Sequence, residues 1–150
     1  MRRRTAWGLL VATAVAAALL TGCDTPGTSD RKAGSTMRIH YVEIVSADVA
    51  SLCAALEQLH GLSFGPPVAD LGQARVAEAP DGSLIGVRAP LAVHEQPVIR
   101  TYLEVEDITK AVEKAEAAGA VIAYPPTHQG DTGTWAIYIL GDVQIGLWQP

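Results

Sequence analysis

The sequence predicts an α+β fold in which one domain, over residues 37–150, contains two copies of the same β-α-β-β-β unit. Three observations support this prediction. Sequence landmarks recur in order at an almost constant offset, each copy has a helical pattern that follows an aspartate, and the strand-like runs alternate in polarity. The two copies span about residues 37–90 and 97–150.

The repeat is defined by four landmarks that return in the same order. An aspartate and a proline pair recur after 59 residues, and an Ile-Gly pair and a proline recur after 60 residues. The matched positions are Asp48/Asp107, Pro66-Pro67/Pro125-Pro126, Ile85-Gly86/Ile145-Gly146 and Pro90/Pro150. One order at nearly one offset indicates an internal duplication.

Each copy contains one predicted helix with an aspartate as its N-cap, because a carboxylate accepts hydrogen bonds from the free N–H groups of the first turn. The first helix, after Asp48, has an apolar face made of Val49, Leu52, Leu56 and Leu59. The second helix, after Asp107, has an apolar face made of Ile108, Ala111, Val112 and Ala115. Its outer face is charged, with Lys110, Glu113, Lys114 and Glu116.

The first strand of each copy precedes its helix, and later strands are predicted near residues 62–64, 74–79, 84–88, 121–124, 135–140 and 143–148. Alternation along a strand separates the side chains into two faces. The face expected beneath the helices carries Val42, Ile44, Ile85, Val87, Leu103, Val105, Ile145 and Leu147. The opposite face carries Tyr41, Glu43, Gly86, Arg88, Arg100, Tyr102, Glu104, Gln144, Gly146 and Trp148. This second face predicts either an exposed sheet surface or the wall of a cup.

Residues 1–22 have the organisation of a cleaved secretory signal, with three arginines, an apolar run and small residues before Cys23. The run Leu-Thr-Gly-Cys resembles a bacterial lipobox, in which the cysteine receives the lipid. This resemblance implies a lipid anchor on Cys23, a polar tether over residues 23–36 and an extracytoplasmic, membrane-anchored domain. Two alternatives remain open: an ordinary signal with an incidental cysteine, and translation from Met37.

The charge of the chain disfavours nucleic acid as a partner. The whole chain has a net charge of −5, and cleavage after residue 22 would remove three arginines and no acid, which leaves −8. An acidic domain without a basic run has little attraction for a phosphate backbone. The 150 residues are enough for one domain with a core.

The domain resembles the vicinal oxygen chelate superfamily, which includes glyoxalase I, extradiol dioxygenases and bleomycin-resistance proteins. The resemblance depends on the paired units, the openings V-E-I-V-x-x-D and V-E-D-I, and the closing I-G-L-W-Q. It implies that the sheet curls into a cup with the helices outside, and that the protein is a homodimer. In metal-dependent members, four cup residues hold a divalent ion, and the matching positions here are Tyr41, Gly86, Arg100 and Gly146.

None of these four residues suits a hard divalent ion, because glycine has no side-chain donor atom and arginine repels a cation. We therefore expect no metal, no other cofactor and no assigned catalytic residue. The predicted ligand-binding residues are Tyr41, Glu43, Arg88, Arg100, Tyr102, Glu104 and Trp148. In the alternative interpretation, the acids and arginines among them only pair with one another.

The predicted ligand is small, planar and anionic, since arginines bind carboxylates and aromatic rings stack on flat molecules. Gly86 and Gly146 are expected to leave the floor of the cup open. His40 is expected on the helix side or at a sheet edge, and Cys53 is expected to be a buried small residue. Three functions follow in order of preference: a metal-independent binding module, an enzyme with an atypical site, and a protein-interaction module.

Overall fold

The computed structural model describes residues 37–150. The predicted signal segment, Cys23 and the tether lie outside these residues. The strands are β1 (Ile39–Val45), β2 (Pro67–Val68), β3 (Ala74–Glu78), β4 (Leu84–Arg88), β5 (Val98–Glu104), β6 (Val121–His128), β7 (Thr134–Leu140) and β8 (Val143–Gln149). The helices are α1 (Val49–His60) and α2 (Ile108–Ala117), with short 3-10 turns at Ala69–Leu71 and Gly130–Thr132. Among the described residues, no helix is both long enough and apolar enough to cross a bilayer.

All eight strands form one mixed sheet in the order β2-β3-β4-β1-β5-β8-β7-β6. The first strand of each unit pairs in parallel with the last strand of its own unit, β1 with β4 and β5 with β8. The two units meet where β1 and β5 pair antiparallel. This seam places Tyr41 opposite Tyr102 and Glu43 opposite Arg100. The predicted fold class, an α+β domain of two β-α-β-β-β units, is confirmed.

Both helices begin at the predicted aspartates. The Asp48 carboxylate accepts from the N–H of Ser51 at 3.1 Å, and the Asp107 carboxylate accepts from the N–H of Lys110 at 3.0 Å. Gly61 ends α1 in the left-handed conformation, with a φ of 69°. A glycine adopts this φ without the steric cost that a Cβ would bring.

The helix side of the sheet holds two apolar clusters, one under each helix. Under α1, Cys53 is buried with Phe64, Ala77 and Val87, and Leu52 and Leu56 pack against them. Under α2, the cluster comprises Ile108, Ala136 and Leu147, with Leu103, Val105, Ala111 and Val112 at its edge. The predicted burial of Cys53 is confirmed, and so is the predicted inner face of α2 at Ile108, Ala111 and Val112.

Two expectations for the first unit are wrong. Leu59 is 72% exposed, because it lies at the edge of the apolar stripe of α1, whose centre is occupied by Leu52, Cys53 and Leu56. Residues 62–64 are not a strand, and the pairing strand β2 begins at Pro67. Side chains, and not a neighbouring strand, provide the hydrogen bonds of the Phe64 backbone. The Phe64 N–H donates to the Glu57 carboxylate, and Arg75 donates to the Phe64 carbonyl.

Candidate ligand-binding cup

The sheet face opposite the helices lines a cavity of about 440 Å³, which we call the cup. The rings of Tyr41, Tyr102 and Trp148 form its wall, with centroids 5.6–5.7 Å apart in tilted and edge-to-face arrangements. All three residues are buried, and Leu71 and Trp135 pack against them. The face is therefore the wall of a cup, not an open sheet surface. Its volume is within the range of pockets that hold small organic ligands.

Gly86 and Gly146 allow the two tyrosine rings to pack directly on the backbone of the sheet. A Cβ at residue 86 would overlap the hydroxyl and outer ring atoms of Tyr41, and a Cβ at residue 146 would overlap the inner ring atoms of Tyr102. The expectation that these glycines leave an open floor is therefore wrong, because the rings occupy that space.

Four charged side chains of alternating sign form a network beside the aromatic wall: Glu95, Arg88, Glu43 and Arg100. Arg88 binds Glu95 in a bidentate manner, with N···O distances of 2.9 and 2.7 Å, and donates from Nε to Glu43 at 2.6 Å. Arg100 donates from Nη1 to the other oxygen of Glu43. Glu43, Arg88 and Arg100 are only 7%, 4% and 9% exposed. The pairing between acids and arginines that the alternative interpretation predicts is thus present, and anion binding by these arginines stays a prediction.

The second contact of Arg100 is to a neutral group. Gln144 Oε1 accepts from Nε and from Nη2 of Arg100, at 3.1 and 2.8 Å. Gln144 is exposed where Arg100 is buried, and both residues line the cup. One edge of the Arg100 guanidinium is therefore covered by a residue at the solvent boundary.

Both tyrosines of the wall are neutral phenols at physiological pH. Burial raises the pKa of Tyr102 to about 12, and the Glu43 charge adds to this effect. Burial and the Glu43 charge also raise the pKa of Tyr41 well above its ordinary value. The Tyr41 hydroxyl is buried without a hydrogen-bond partner among residues 37–150. Neither phenol is suited to act as a general base near neutral pH.

Glu104 does not line the cup, unlike the other six predicted ligand-binding residues. Its carboxylate lies 3.5 Å from Arg38 and 3.2 Å from His40. The expectation for His40 is wrong, because its ring stacks on Trp148 with a centroid distance of 5.3 Å. A register irregularity between Ile39 and Tyr41 breaks the simple alternation at this point of β1.

The positions that match the metal ligands of the superfamily do not fit a metal ion. Tyrosine rings fill the space beside Gly86 and Gly146, and the Arg100 guanidinium would repel a cation. Among residues 37–150, no group of three or more His, Cys, Asp or Glu side chains is arranged to hold a metal.

Several residues of the cup were absent from the predicted site. Glu95 lies in the loop between β4 and β5, which has no periodicity, and no pattern in the sequence connects it with Arg88. Gln144 was on the predicted cup face but had no signal that separated it from an ordinary surface residue. Trp135 and Tyr124 line the cup from the second unit, and alternation along β7 would have identified Trp135 through its register opposite Trp148.

The Glu95–Arg88 pair predicts a specific loss of stability in acid. Hydrogen bonds from Arg88 lower the pKa of Glu95 from 4.5 to about 2 in the folded protein. Because the folded pKa is depressed, the stabilisation is complete above pH 4.5 and is lost as the pH falls from 4.5 towards 2. Urea unfolding between pH 7 and pH 2 should show this loss, and Glu95→Gln should have a lower midpoint at pH 7 and a smaller change over that window. Parallel pH profiles for the two proteins would contradict the assignment.

No protein-family model and no curated protein matches the chain, but solved structures do. A hypothetical protein from Bacillus halodurans C-125 is 12% identical, with a TM-score of 0.63 over 77% of this chain and 95% of that chain. Methylmalonyl-CoA epimerase from Mycobacterium tuberculosis is 19% identical, with a TM-score of 0.60 over 75% of this chain and 87% of that chain. The Streptomyces coelicolor epimerase, in complex with 2-nitronate-propionyl-CoA, is 16% identical, with a TM-score of 0.55 over 75% of this chain and 96% of that chain.

These identities are low enough that the likeness concerns the fold alone. The matched structures share the eight-stranded mixed sheet with two helices that residues 37–150 form. The domain therefore has the fold of the vicinal oxygen chelate and glyoxalase proteins.

Proposed function

We propose that this protein is a metal-independent binding module that holds a small planar organic molecule in the cup. The observation that carries the proposal is the wall of Tyr41, Tyr102 and Trp148 around a cavity of about 440 Å³. Flat aromatic walls favour a planar guest, because offset and edge-to-face ring contacts add to the burial of apolar area. The Trp148 indole N–H donates to the Thr132 carbonyl at 2.9 Å, which holds the ring in place before a ligand arrives.

An enzymatic role has less support from the same residues. Each oxygen of Glu43 accepts a hydrogen bond from an arginine, so neither is free to take a proton from a substrate. The raised pKa values of Tyr41 and Tyr102 make both phenols weak bases. The structures of methylmalonyl-CoA epimerases share the fold with this domain, and their reaction is not carried over to it.

The binding proposal is tested by thermal unfolding of the full-length protein, purified in detergent, with a panel of planar aromatic compounds. A ligand at about 100 times its Kd stabilises the folded state by about 2.7 kcal/mol, which raises the unfolding midpoint by several degrees. Leu71→Trp should abolish the shift, because the larger ring enters the cup.

The matched control is Leu59→Trp, which makes the same change on the exposed side of α1 and should leave the ligand-induced shift intact. The proposal is wrong if no compound of the panel raises the midpoint, or if the two variants respond alike.

We also propose that Cys23 carries a lipid that anchors the domain on the extracytoplasmic side of a membrane. The Leu-Thr-Gly-Cys run after an apolar segment supports this proposal, and two or three acyl chains are enough for stable anchoring. Cys23→Ser should move the protein from the membrane fraction to the soluble fraction or leave it unprocessed. Processing and fractionation like the wild type would contradict the anchor. The homodimer stays a prediction.

A further inference from the structure

The charged network of the cup ends on an arginine that has fewer anionic partners than its neighbour. Along the series Glu95, Arg88, Glu43 and Arg100, each charge is followed by one of opposite sign. Arg88 contacts two carboxylates, whereas Arg100 contacts one carboxylate and the neutral amide of Gln144. One further anion, placed at the amide position, would continue the alternation.

Gln144 covers the edge of Arg100 that a carboxylate would bind. Its single Oε1 atom accepts from both Nε and Nη2, the two donors that a carboxylate engages with one oxygen each. A charged acceptor makes a stronger hydrogen bond to guanidinium than a neutral amide does. Because Gln144 is exposed and lines the cup, it can leave this edge without disturbing the buried core.

We infer that Gln144 is a neutral placeholder, and that the ligand displaces it with a carboxylate that binds Nε and Nη2 of Arg100. The inference rests on the proposed binding function and names the chemical class of the ligand: a planar molecule with one carboxylate. Arg88 is not the anion site, because Glu43 and Glu95 already accept from its Nε, Nη1 and Nη2 groups. An exchange of one carboxylate for another there would gain no charge pairing.

The charge balance favours a monoanion over a dianion. Arg88 and Arg100 are matched by Glu43 and Glu95, so the network is neutral before the ligand enters. A monocarboxylate brings one negative charge against the edge of Arg100 that Gln144 covers. A dianionic phosphate would bring a second charge close to the buried Glu43, where the low dielectric strengthens repulsion.

The inference is tested with benzoate and benzamide, which have the same shape and differ in charge. Isothermal titration of the full-length protein in detergent should show benzoate binding at least about tenfold more tightly than benzamide, the difference expected for one charge-assisted pair. Gln144→Ala should retain the preference for benzoate. Gln144→Glu should remove it, because a resident carboxylate then holds Arg100 and repels the ligand.

Gln129→Glu is the matched control, because Gln129 also lines the cup and has no hydrogen bond to Arg100. This variant should keep the benzoate preference, and equal losses in both glutamate variants would show a general charge effect and overturn the inference. If Gln144→Glu does not fold, Arg100→Lys takes its place, since lysine keeps the charge but not the two-pronged contact. Equal binding of benzoate and benzamide overturns this inference alone. If neither compound binds and no compound of the aromatic panel raises the unfolding midpoint, the proposed binding function is overturned as well.

Discussion

Glu43→Gln is expected to lower the free energy of unfolding by about 3–5 kcal/mol, the range for breaking a buried ion pair by removing one partner. One oxygen of Glu43 accepts from Arg88 and the other accepts from Arg100. In the amide, one of these two positions becomes an N–H₂ group that faces an arginine donor, whichever way the side chain is turned. Arg100, which is 9% exposed, then has no carboxylate partner.

Urea denaturation measures this effect, and Glu104→Gln is the matched control. Glu104 lies near the end of β5, paired with Arg38 and His40, and its side chain is 32% exposed. A pair of this exposure contributes about 0–1 kcal/mol. Similar losses for the two variants would mean that the buried network contributes no more than a surface pair.

A second variant tests whether the loss of stability in Glu43→Gln comes from the unpaired charge of Arg100. Arg100→Met in the Glu43→Gln background removes the cation that Glu43 neutralised, and should recover part of the lost stability, because apolar replacement of a buried ion pair is often close to neutral. If the double variant is less stable than Glu43→Gln by the full cost of Arg100→Met alone, the two residues are not coupled.

The sequence was sufficient to predict the fold because the features that determine it are local and occur twice. Asp48 and Asp107 begin helices through hydrogen bonds to N–H groups three residues later. The almost constant offset between the units then predicts the repeated topology. The prediction was wrong where strand alternation competed with a tertiary contact. His40 stacks on Trp148 because of a register irregularity in β1, which no pattern in the sequence predicts.

The candidate site could be predicted only as a list of wall residues. Strand alternation placed Tyr41, Glu43, Tyr102 and Trp148 on one face, and all four line the cup. Alternation has no information on which side chains fill the space beside a glycine, or on which loop residue reaches an arginine. The closure of the floor by tyrosine rings and the contact of Glu95 with Arg88 both depend on tertiary geometry.

Gly146→Ala is the second substitution for which we expect a large effect. The new Cβ would overlap the Cγ and Cδ1 atoms of Tyr102, which are at the root of the side chain and move only if the whole residue changes rotamer. Tyr102 is buried against Tyr41 and Trp148, so a ring displaced from Gly146 would lose these contacts and enter the cup. Overpacking of this kind costs about 1–3 kcal/mol or more. Gly86→Ala should cost less, because there the overlap involves the far end of the Tyr41 side chain.

The control for the glycine substitution is Gly65→Ala, where a Cβ would meet only the Val76 carbonyl oxygen, at an ordinary distance of 3.7 Å. This variant should be close to neutral, since alanine also reduces the entropy of the unfolded chain.

Tyr102→Ala is expected to cost about 3–5 kcal/mol by itself. Adding Gly146→Ala to it should cost almost nothing more, because the ring that obstructs the Cβ is gone. The measurement is a double-mutant cycle by urea denaturation. If the cost of Gly146→Ala is the same with and without the Tyr102 ring, the close packing of the ring on Gly146 is not what requires glycine at that position.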